Sequence, residues 1–142
     1  MGLFSFLKSI GKKVKPGREA EEITTDITNS LGGQVKDLKV GFVGGTVTIG
    51  GTVESAALRD KAVLLAGNVE GVESVNDNIT VSVPAPAPVF YTIEKGDSLS
   101  KIAKERYGDA MKWKELFEAN REVIKDPDLI YPGQQIRIPE LS

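Results

Sequence analysis

The sequence predicts an α+β protein made of two small domains, and three observations support this. Residues 84–88 alternate proline with alanine, a pattern that favours extended polyproline II and predicts a spacer over residues 84–89. Hydrophobic periodicity predicts the order helix, strand, strand, helix, strand in residues 19–83, and strand, helix, helix, strand in residues 90–142. A chain of 142 residues can supply two domains that each bury a thin core.

Residues 1–18 are predicted to form a short helix, Leu3 to Ile10, which ends at Gly11 and precedes a basic arm. This segment carries five basic residues and no acidic one. Residues 19–83 hold ten acidic and four basic residues, so the two segments are expected to attract one another. The apolar run is too short for a signal peptide, and no stretch approaches the roughly 20 apolar residues of a transmembrane segment. We therefore expect a cytoplasmic protein without a transmembrane segment.

The first domain, residues 19–83, is predicted to begin with an amphipathic helix ended by Gly32. Two strands follow, residues 35–43 and 46–53, joined by a hairpin turn at Gly44 and Gly45. Gly50 and Gly51 suggest a bulge or a bend in the second strand. The predicted buried positions of the helix are Ala20, Ile23, Ile27 and Leu31, and those of the first strand are Leu38, Val40 and Phe42.

Ser55 is predicted to be the N-cap of a second helix, which Gly67 is predicted to end. A third strand follows over residues 75–83. The predicted inward side chains of the helix are Leu58, Ala62, Leu65 and Ala66, and those of the strand are Val75, Ile79, Val81 and Val83.

The second domain is predicted to open with a strand over residues 90–93 and to close with a turn and an antiparallel strand within residues 130–139. Asp97 is a candidate N-cap for the helix between them, and a second helix is predicted from Met111 to Asn120. The predicted inward side chains of the two helices are Leu99, Ile102, Ala103, Trp113, Leu116 and Phe117. Together with Tyr91 and Tyr107, Trp113 and Phe117 favour a core over a stacking platform.

Composition excludes several kinds of chemistry. The chain has no cysteine and no histidine, which removes disulfides, thiolate metal sites, cysteine nucleophiles and imidazole-based catalysis. No pair of other catalytic side chains has a spacing that suggests an active site, so we do not expect an enzyme. A net charge of -2 gives no reason to expect nucleic-acid binding. We expect a monomeric binding protein.

The stretch GGTVTIGGTVESAALRDKAVLLAGNVEGVESVNDNITV resembles a BON domain. It has the glycine-containing hairpin, the arginine near the start of the helix, and the valine-rich ending VEGVESVNDNITV, and residues 46–83 match in order and spacing. The resemblance implies a binding module, known for association with membranes, envelopes or ligands.

Residues 90–142 resemble a LysM domain in YTIEKGDSLSKIAKERYGD, the central EAN, and IYPGQQIRIP. This resemblance implies a shallow groove for N-acetylglucosamine polymers such as peptidoglycan. In this chain the groove would place Gly96, Asp97, Ser98 and Leu99 opposite Ile130 and Tyr131. Ordinary structural roles also explain these residues, with Gly96 in a turn, Asp97 as a cap, and Leu99 and Ile130 in the core.

The combination of both domains after MGLFSFLKSIG resembles, over essentially the whole length, the bacterial cytoplasmic potassium-binding proteins of this architecture. Further shared stretches are LAGNVEGVESV and KDPDLIYPGQQIRIP. The resemblance implies a potassium ion, a monovalent cation, held by backbone carbonyls. Carried over by position, the carbonyls belong to Leu7, Lys8, Ile10, Gly67, Val69 and Val72. Glycine caps and core valines explain the same residues without an ion.

Potassium is large and weakly hydrated, which favours cages of neutral carbonyls, and helix C-termini present such carbonyls. The predicted function is a potassium sensor or buffer in which the ion compacts the BON and LysM domains. One alternative is an envelope adaptor that binds glycan through LysM and membrane or protein through BON. A stress chaperone or scaffold without a small ligand is a third possibility.

Overall fold

The α+β class is confirmed in a computed structural model of the chain, which describes residues 2–83 and 88–141. These residues divide into two compact units, residues 2–83 and residues 88–141. Most of the predicted proline-alanine spacer, residues 84–87, lies outside the described residues.

The first unit is a four-stranded sheet with two helices packed on it and on each other. The elements are β1 (Gly2–Ser5), α1 (Glu19–Leu31), β2 (Lys36–Val43), β3 (Thr46–Val53), α2 (Ala56–Gly67) and β4 (Ser74–Val81). Strand order is β1-β4-β3-β2, with the central strands β3 and β4 parallel and the other pairs antiparallel. Helix α2 is the crossover connection that allows β3 and β4 to pair in parallel.

The predicted N-terminal helix, Leu3 to Ile10, is wrong, because Gly2–Ser5 form the edge strand β1 and the residues after it form a turn. Leu3 is 68% exposed while Phe4 is partly buried, and Phe6 beyond the strand is buried, an alternation with the period of a strand. The backbone of β1 pairs with β4, from Gly2 opposite Asp77 to Ser5 opposite Ser74. Pairing with β4 satisfies backbone groups that an isolated two-turn helix would leave to water, so the strand prevails.

The first helix and the hairpin form as predicted. Helix α1 buries Ile23, Ile27 and Leu31 and ends where Gly32 takes a φ of +58°. Gly44 and Gly45 both have positive φ in the turn between β2 and β3, as a two-residue hairpin requires.

The bulge predicted near Gly50 and Gly51 lies in the neighbouring strand. The register of β2 shifts between Lys36 and Lys39, where Asp37 has a φ of +56°. A Cβ at Gly51 would lie 2.9 Å from the carbonyl oxygen of Lys36, so this glycine leaves room for the bulge opposite.

The second helix begins as predicted, since the Ser55 side chain accepts a hydrogen bond of 3.3 Å from the amide of Leu58. Its buried surface is broader than the predicted stripe, because α2 packs on both α1 and the sheet. Val63 and Leu64 are fully buried, whereas Leu58 and Leu65 are only partly buried.

The third strand is shorter than predicted and buries a charge. Strand β4 ends at Val81, and Val83 lies beyond it with 61% of its surface exposed. Val75 and Ile79 face inward as predicted, and Asp77 between them follows the same alternation into the interior.

The second unit pairs a two-stranded antiparallel sheet with two helices. Its elements are β5 (Phe90–Thr92), α3 (Leu99–Tyr107), α4 (Trp113–Ala119) and β6 (Gln135–Arg137). A 3-10 turn, Ala110–Lys112, occupies the start of the predicted second helix. The core comprises Ile93, Leu99, Ile102, Leu116, Ile124 and Ile136, with Tyr91, Trp113, Phe117, Ile130 and Ile138 packed against it.

The predicted cap of α3 is wrong by one residue. The hydroxyl of Ser98 accepts the hydrogen bond from the amide of Lys101, at 3.1 Å. Asp97 instead accepts from the hydroxyl of Tyr91 and the amide of Glu94, at 2.5 and 2.8 Å. Its carboxylate therefore fixes the loop before the helix and not the helix itself.

No helix within residues 2–83 and 88–141 combines the length and the apolar character needed to cross a membrane.

Candidate ion site and a second groove

Two backbone segments meet at one end of the first unit: residues 6–12, called here the N-terminal segment, and residues 68–73, the α2 loop. Four backbone hydrogen bonds of 2.6 to 2.9 Å join them. The donor and acceptor pairs are Phe6 to Glu73, Gly71 to Lys8, Lys12 to Asn68 and Glu70 to Lys12. The fold thus brings together the two stretches that the sequence resemblance implicates in cation binding.

All six predicted carbonyl donors lie on these stretches or at the adjoining end of α2. The carbonyl of Lys8 accepts from Gly71 across the two segments at 2.6 Å. Those of Leu7 and Val69 accept local hydrogen bonds of 3.1 Å from Ile10 and Val72. A carbonyl oxygen has two lone pairs, so one accepted hydrogen bond leaves capacity for a cation. The six-carbonyl ligand set stays a prediction.

Only one side of the predicted site is a helix terminus. Because the N-terminal segment follows a strand, the carbonyls of Leu7, Lys8 and Ile10 come from a turn and carry no helix dipole. Gly67 is the last residue of the 12-residue helix α2, whose C-terminus has partial negative charge. The partial negative charge of this terminus attracts a cation.

Gly67 serves the packing of the Phe6 ring more than it serves to cap the helix. Its φ is not among the positive values that glycine caps adopt, and the residue is buried. The ring of Phe6, only 8% exposed, lies directly over it, so that a Cβ at position 67 would overlap the ring. The absence of a side chain at Gly67 therefore lets the N-terminal segment lie flat on α2.

We expect Gly67→Ala to lower the free energy of unfolding by about 1–3 kcal/mol, because the added methyl group displaces the Phe6 ring. Urea unfolding measures the loss. Gly41→Ala is the control, since a Cβ at that strand position meets nothing within 4 Å. If the ring is responsible, Phe6→Ala costs less in the Gly67→Ala background than in the wild type; equal costs in both backgrounds would contradict the contact.

Basic side chains of the amino-terminal region are paired with acidic ones of the same unit, as the charge distribution predicted. The ammonium group of Lys12 lies 2.7 Å from both carboxylate oxygens of Asp26. Lys8 lies 3.5 Å from Glu73, and Arg18 lies 2.6 Å from Glu21. These exposed pairs contribute little energy each, but they reduce the positive charge beside the two segments.

Among the residues that the structure describes, no three acidic side chains cluster in a way that could hold a metal ion. A divalent cation prefers several carboxylates. The backbone carbonyls of the two segments are neutral donors, the kind that suits a large monovalent cation.

The second unit has a groove of about 340 Å³ at the start of α3. Of the residues predicted to bind glycan, Ser98 and Leu99 line it. Its remaining lining residues are Ser100, Trp113, Pro127 and Asp128. Trp113 also packs against the core, where the sequence analysis placed it in preference to a stacking platform.

The other predicted groove residues do not line this groove. Ile130 packs against the core and Tyr131 is partly buried, with burial raising the pKa of its hydroxyl. Gly96 turns the loop with a φ of +88°. Burial acts to raise the pKa of Asp97, but the hydrogen bonds from Tyr91 and Glu94 outweigh it and leave that pKa lowered. The hydrogen bond between the Tyr91 hydroxyl and Asp97 raises the pKa of Tyr91 to about 12.

Comparison with known proteins agrees with the two-unit architecture. Residues 19–82 match the BON domain family and residues 91–139 match the LysM domain family, both of which are families of binding domains and not of enzymes. The chain is 38% identical over 107 residues to an uncharacterized protein of Deinococcus radiodurans, covering 68% of this chain and 42% of that one. It is 36% identical over 63 residues to the uncharacterized protein YqbP of Bacillus subtilis, covering 38% and 29%.

A third similarity extends over both domains. The chain is 34% identical over 148 aligned residues to the potassium binding protein Kbp of Escherichia coli O6:H1, and the alignment covers 99% of each chain. The amino-terminal segment, the BON domain and the LysM domain all fall within it. This protein therefore belongs to the family of the potassium binding protein Kbp.

Proposed function

We propose that this protein binds potassium in the bacterial cytoplasm, with the ion between the N-terminal segment and the α2 loop. The observation that carries the proposal is the set of four backbone hydrogen bonds that holds these two segments together. The relative with 34% identity is named for potassium binding, which supports the same ligand here. The proposed donors are the carbonyls of Leu7, Lys8, Ile10, Gly67, Val69 and Val72.

The chemistry of this place suits a monovalent cation. Backbone carbonyls are neutral donors, which can replace the hydration shell of a large, weakly hydrated ion. Converging carbonyl dipoles repel one another when no ion is present. A bound cation removes this repulsion and stabilises the contact between the N-terminal segment and the α2 loop.

The proposed role is that of a sensor or buffer without catalytic activity. Ion binding stabilises the folded state by mass action and shifts the protein toward the conformation in which the two segments are joined. In this proposal the BON and LysM domains also become more compact. A smaller radius of gyration in potassium than in choline, measured by X-ray scattering, is the expected result; an unchanged radius would contradict the compaction alone.

A thermal melt in choline buffer, titrated with potassium, sodium and calcium chlorides at constant ionic strength, tests the proposal. A specific ion raises the free energy of unfolding by about 2.7 kcal/mol at 100 times its dissociation constant. We expect this rise with potassium, together with slower amide exchange at residues 2–12. Choline serves as the control for ionic strength, and equal melts in all four salts would contradict ion binding.

The groove of the second unit favours glycan binding as a second candidate function. Ser98, Ser100 and Trp113 all line it, and hydroxyls beside an indole ring suit the polar edges and apolar face of a sugar ring. Trp113 is the single tryptophan, so its fluorescence reports directly on the groove. A change with N-acetylglucosamine oligomers and none with glucose oligomers would support this function; no change with either would contradict it.

A further inference from the structure

Gly11 lies where the N-terminal segment crosses the α2 loop, close against the backbone of Asn68 and Val69. Its φ is +124°, a value that residues with side chains rarely adopt. A Cβ at this position would lie 2.5 Å from the carbonyl carbon and oxygen of Asn68 and 2.8 Å from the amide nitrogen of Val69. These are backbone atoms, so they cannot move aside as the end of a flexible side chain can.

The crossing is locked by hydrogen bonds of the next residue. The amide of Lys12 donates to the carbonyl of Asn68, and the carbonyl of Lys12 accepts from the amide of Glu70, both at 2.9 Å. Lys12 and Val69 thus form an isolated parallel bridge immediately beside Gly11. A side chain at position 11 would have to lengthen these hydrogen bonds or separate the segments.

The crossing also fixes the distance between proposed ion ligands. Ile10 precedes Gly11 on one segment, and Val69 follows Asn68 on the other. Any separation at Gly11 therefore moves the carbonyls of Ile10 and Lys8 away from those of Gly67 and Val69. We infer that Gly11 sets the width of the ion site and thereby how strongly the site discriminates among potassium, rubidium and caesium. This inference rests on the proposed function and names a positioning residue within it.

Gly11→Ala tests the inference, with Gly17→Ala as its matched control. Gly17 also has a positive φ, +87°, but a Cβ there meets nothing within 4 Å. Both variants therefore place a side chain at a positive φ, and only the first adds the overlap with Asn68. We expect Gly11→Ala to raise the potassium midpoint about tenfold or more, and Gly17→Ala to leave it within about twofold of the wild type.

Selectivity separates this role from general destabilisation. Titrations with potassium, rubidium and caesium give the ratio of midpoints for each variant. If the site widens, the ratio of the caesium to the potassium midpoint falls in Gly11→Ala and stays constant in Gly17→Ala. Equal weakening for all three ions, or equal behaviour of the two variants, would overturn the inference while the proposed function stands.

Two further outcomes complete the test. A wild-type protein that does not respond to potassium contradicts the proposed function itself. Should Gly11→Ala fail to fold, amide exchange in the wild type and in Gly17→Ala decides instead. We expect potassium to slow exchange at Lys12 and Glu70, the two amides of the crossing; a potassium response in the melt without protection of these amides would overturn the role of Gly11.

Discussion

Arg59→Met is expected to lower the free energy of unfolding by about 3–5 kcal/mol at neutral pH, because it removes the countercharge of buried carboxylates. The guanidinium of Arg59 donates to Asp60 at 2.9 Å and lies 3.6 Å from a carboxylate oxygen of Asp77. Asp60 and Asp77 are only 2% and 1% exposed. Methionine keeps most of the apolar volume of the arginine stem, so the loss reports chiefly on the charge.

The loss should depend on pH. Burial raises the pKa of Asp77, while its hydrogen bond from the amide of Ile79 and the charge of Arg59 act in the opposite direction. A carboxyl whose pKa is raised by folding favours the folded state below its unfolded pKa and loses that contribution as pH rises through its folded pKa. Without Arg59 the pKa rises further, so the deficit of the variant shrinks as pH falls from neutral toward that pKa.

Urea unfolding of wild type and variant at pH 7 and about pH 5 measures both effects. Arg18→Met is the control, since Arg18 forms an exposed ion pair with Glu21 in the same unit, and pairs of this kind contribute little. A deficit for Arg59→Met that is no larger than that of Arg18→Met would contradict a structural charge cluster. A deficit of the same size at both pH values would mean that lost packing, and not charge, is responsible.

Features set by neighbours in sequence could be predicted. Helix α1 follows from the spacing of Ile23, Ile27 and Leu31 and from Gly32, and the hairpin follows from Gly44 and Gly45. In each case the periodicity or the turn chemistry lies within a few residues of the element that it specifies.

Features that depend on contacts between residues far apart in the sequence could not be predicted. Leu3, Phe6, Leu7 and Ile10 fit a helical spacing, and only pairing with β4 makes the first residues of this stretch a strand. Asp77 fits the inward alternation of β4, but its charge argues for the surface unless Arg59 on another element is taken into account. The packing of the Phe6 ring over Gly67 likewise depends on two distant parts of the chain coming together.

The candidate ion site shows the same division in a stronger form. Backbone carbonyls are present at every residue, so no side-chain motif marks the ones that face a cation. Family resemblance supplied the six residues, and the structure adds that their two segments are joined. The only sign of the close approach in the sequence is the glycine at position 11. It cannot be distinguished there from the many glycines that serve turns.

Asn120→Asp is expected to lower the free energy of unfolding of the second unit by about 3–5 kcal/mol. Asn120 has no exposed surface. Its side-chain amide donates to the carbonyls of Leu116 and Arg137, both at 2.9 Å, and its side-chain oxygen accepts from the amide of Arg137 at 2.8 Å. The side chain thus ties the last turn of α4 to β6.

An ionised aspartate at this position has no hydrogen to donate. The carbonyls of Leu116 and Arg137 lose their donor and face a buried negative charge, while the atoms of the side chain change hardly at all in size. Protonation restores one donor and removes the charge. The deficit should therefore be largest near neutral pH and shrink at acidic pH, as linkage requires for a carboxyl with a raised folded pKa.

Trp113 packs against the core of this unit, so its fluorescence follows the unfolding of the region that Asn120 holds together. Asn78→Asp is the control, because Asn78 is exposed on β4 and the same chemical change there buries no charge. Wild-type stability for Asn120→Asp would mean that water or a neighbouring group replaces the lost donors. A deficit that persisted unchanged into acid would contradict the role of the buried charge, since protonation removes that charge and restores one donor.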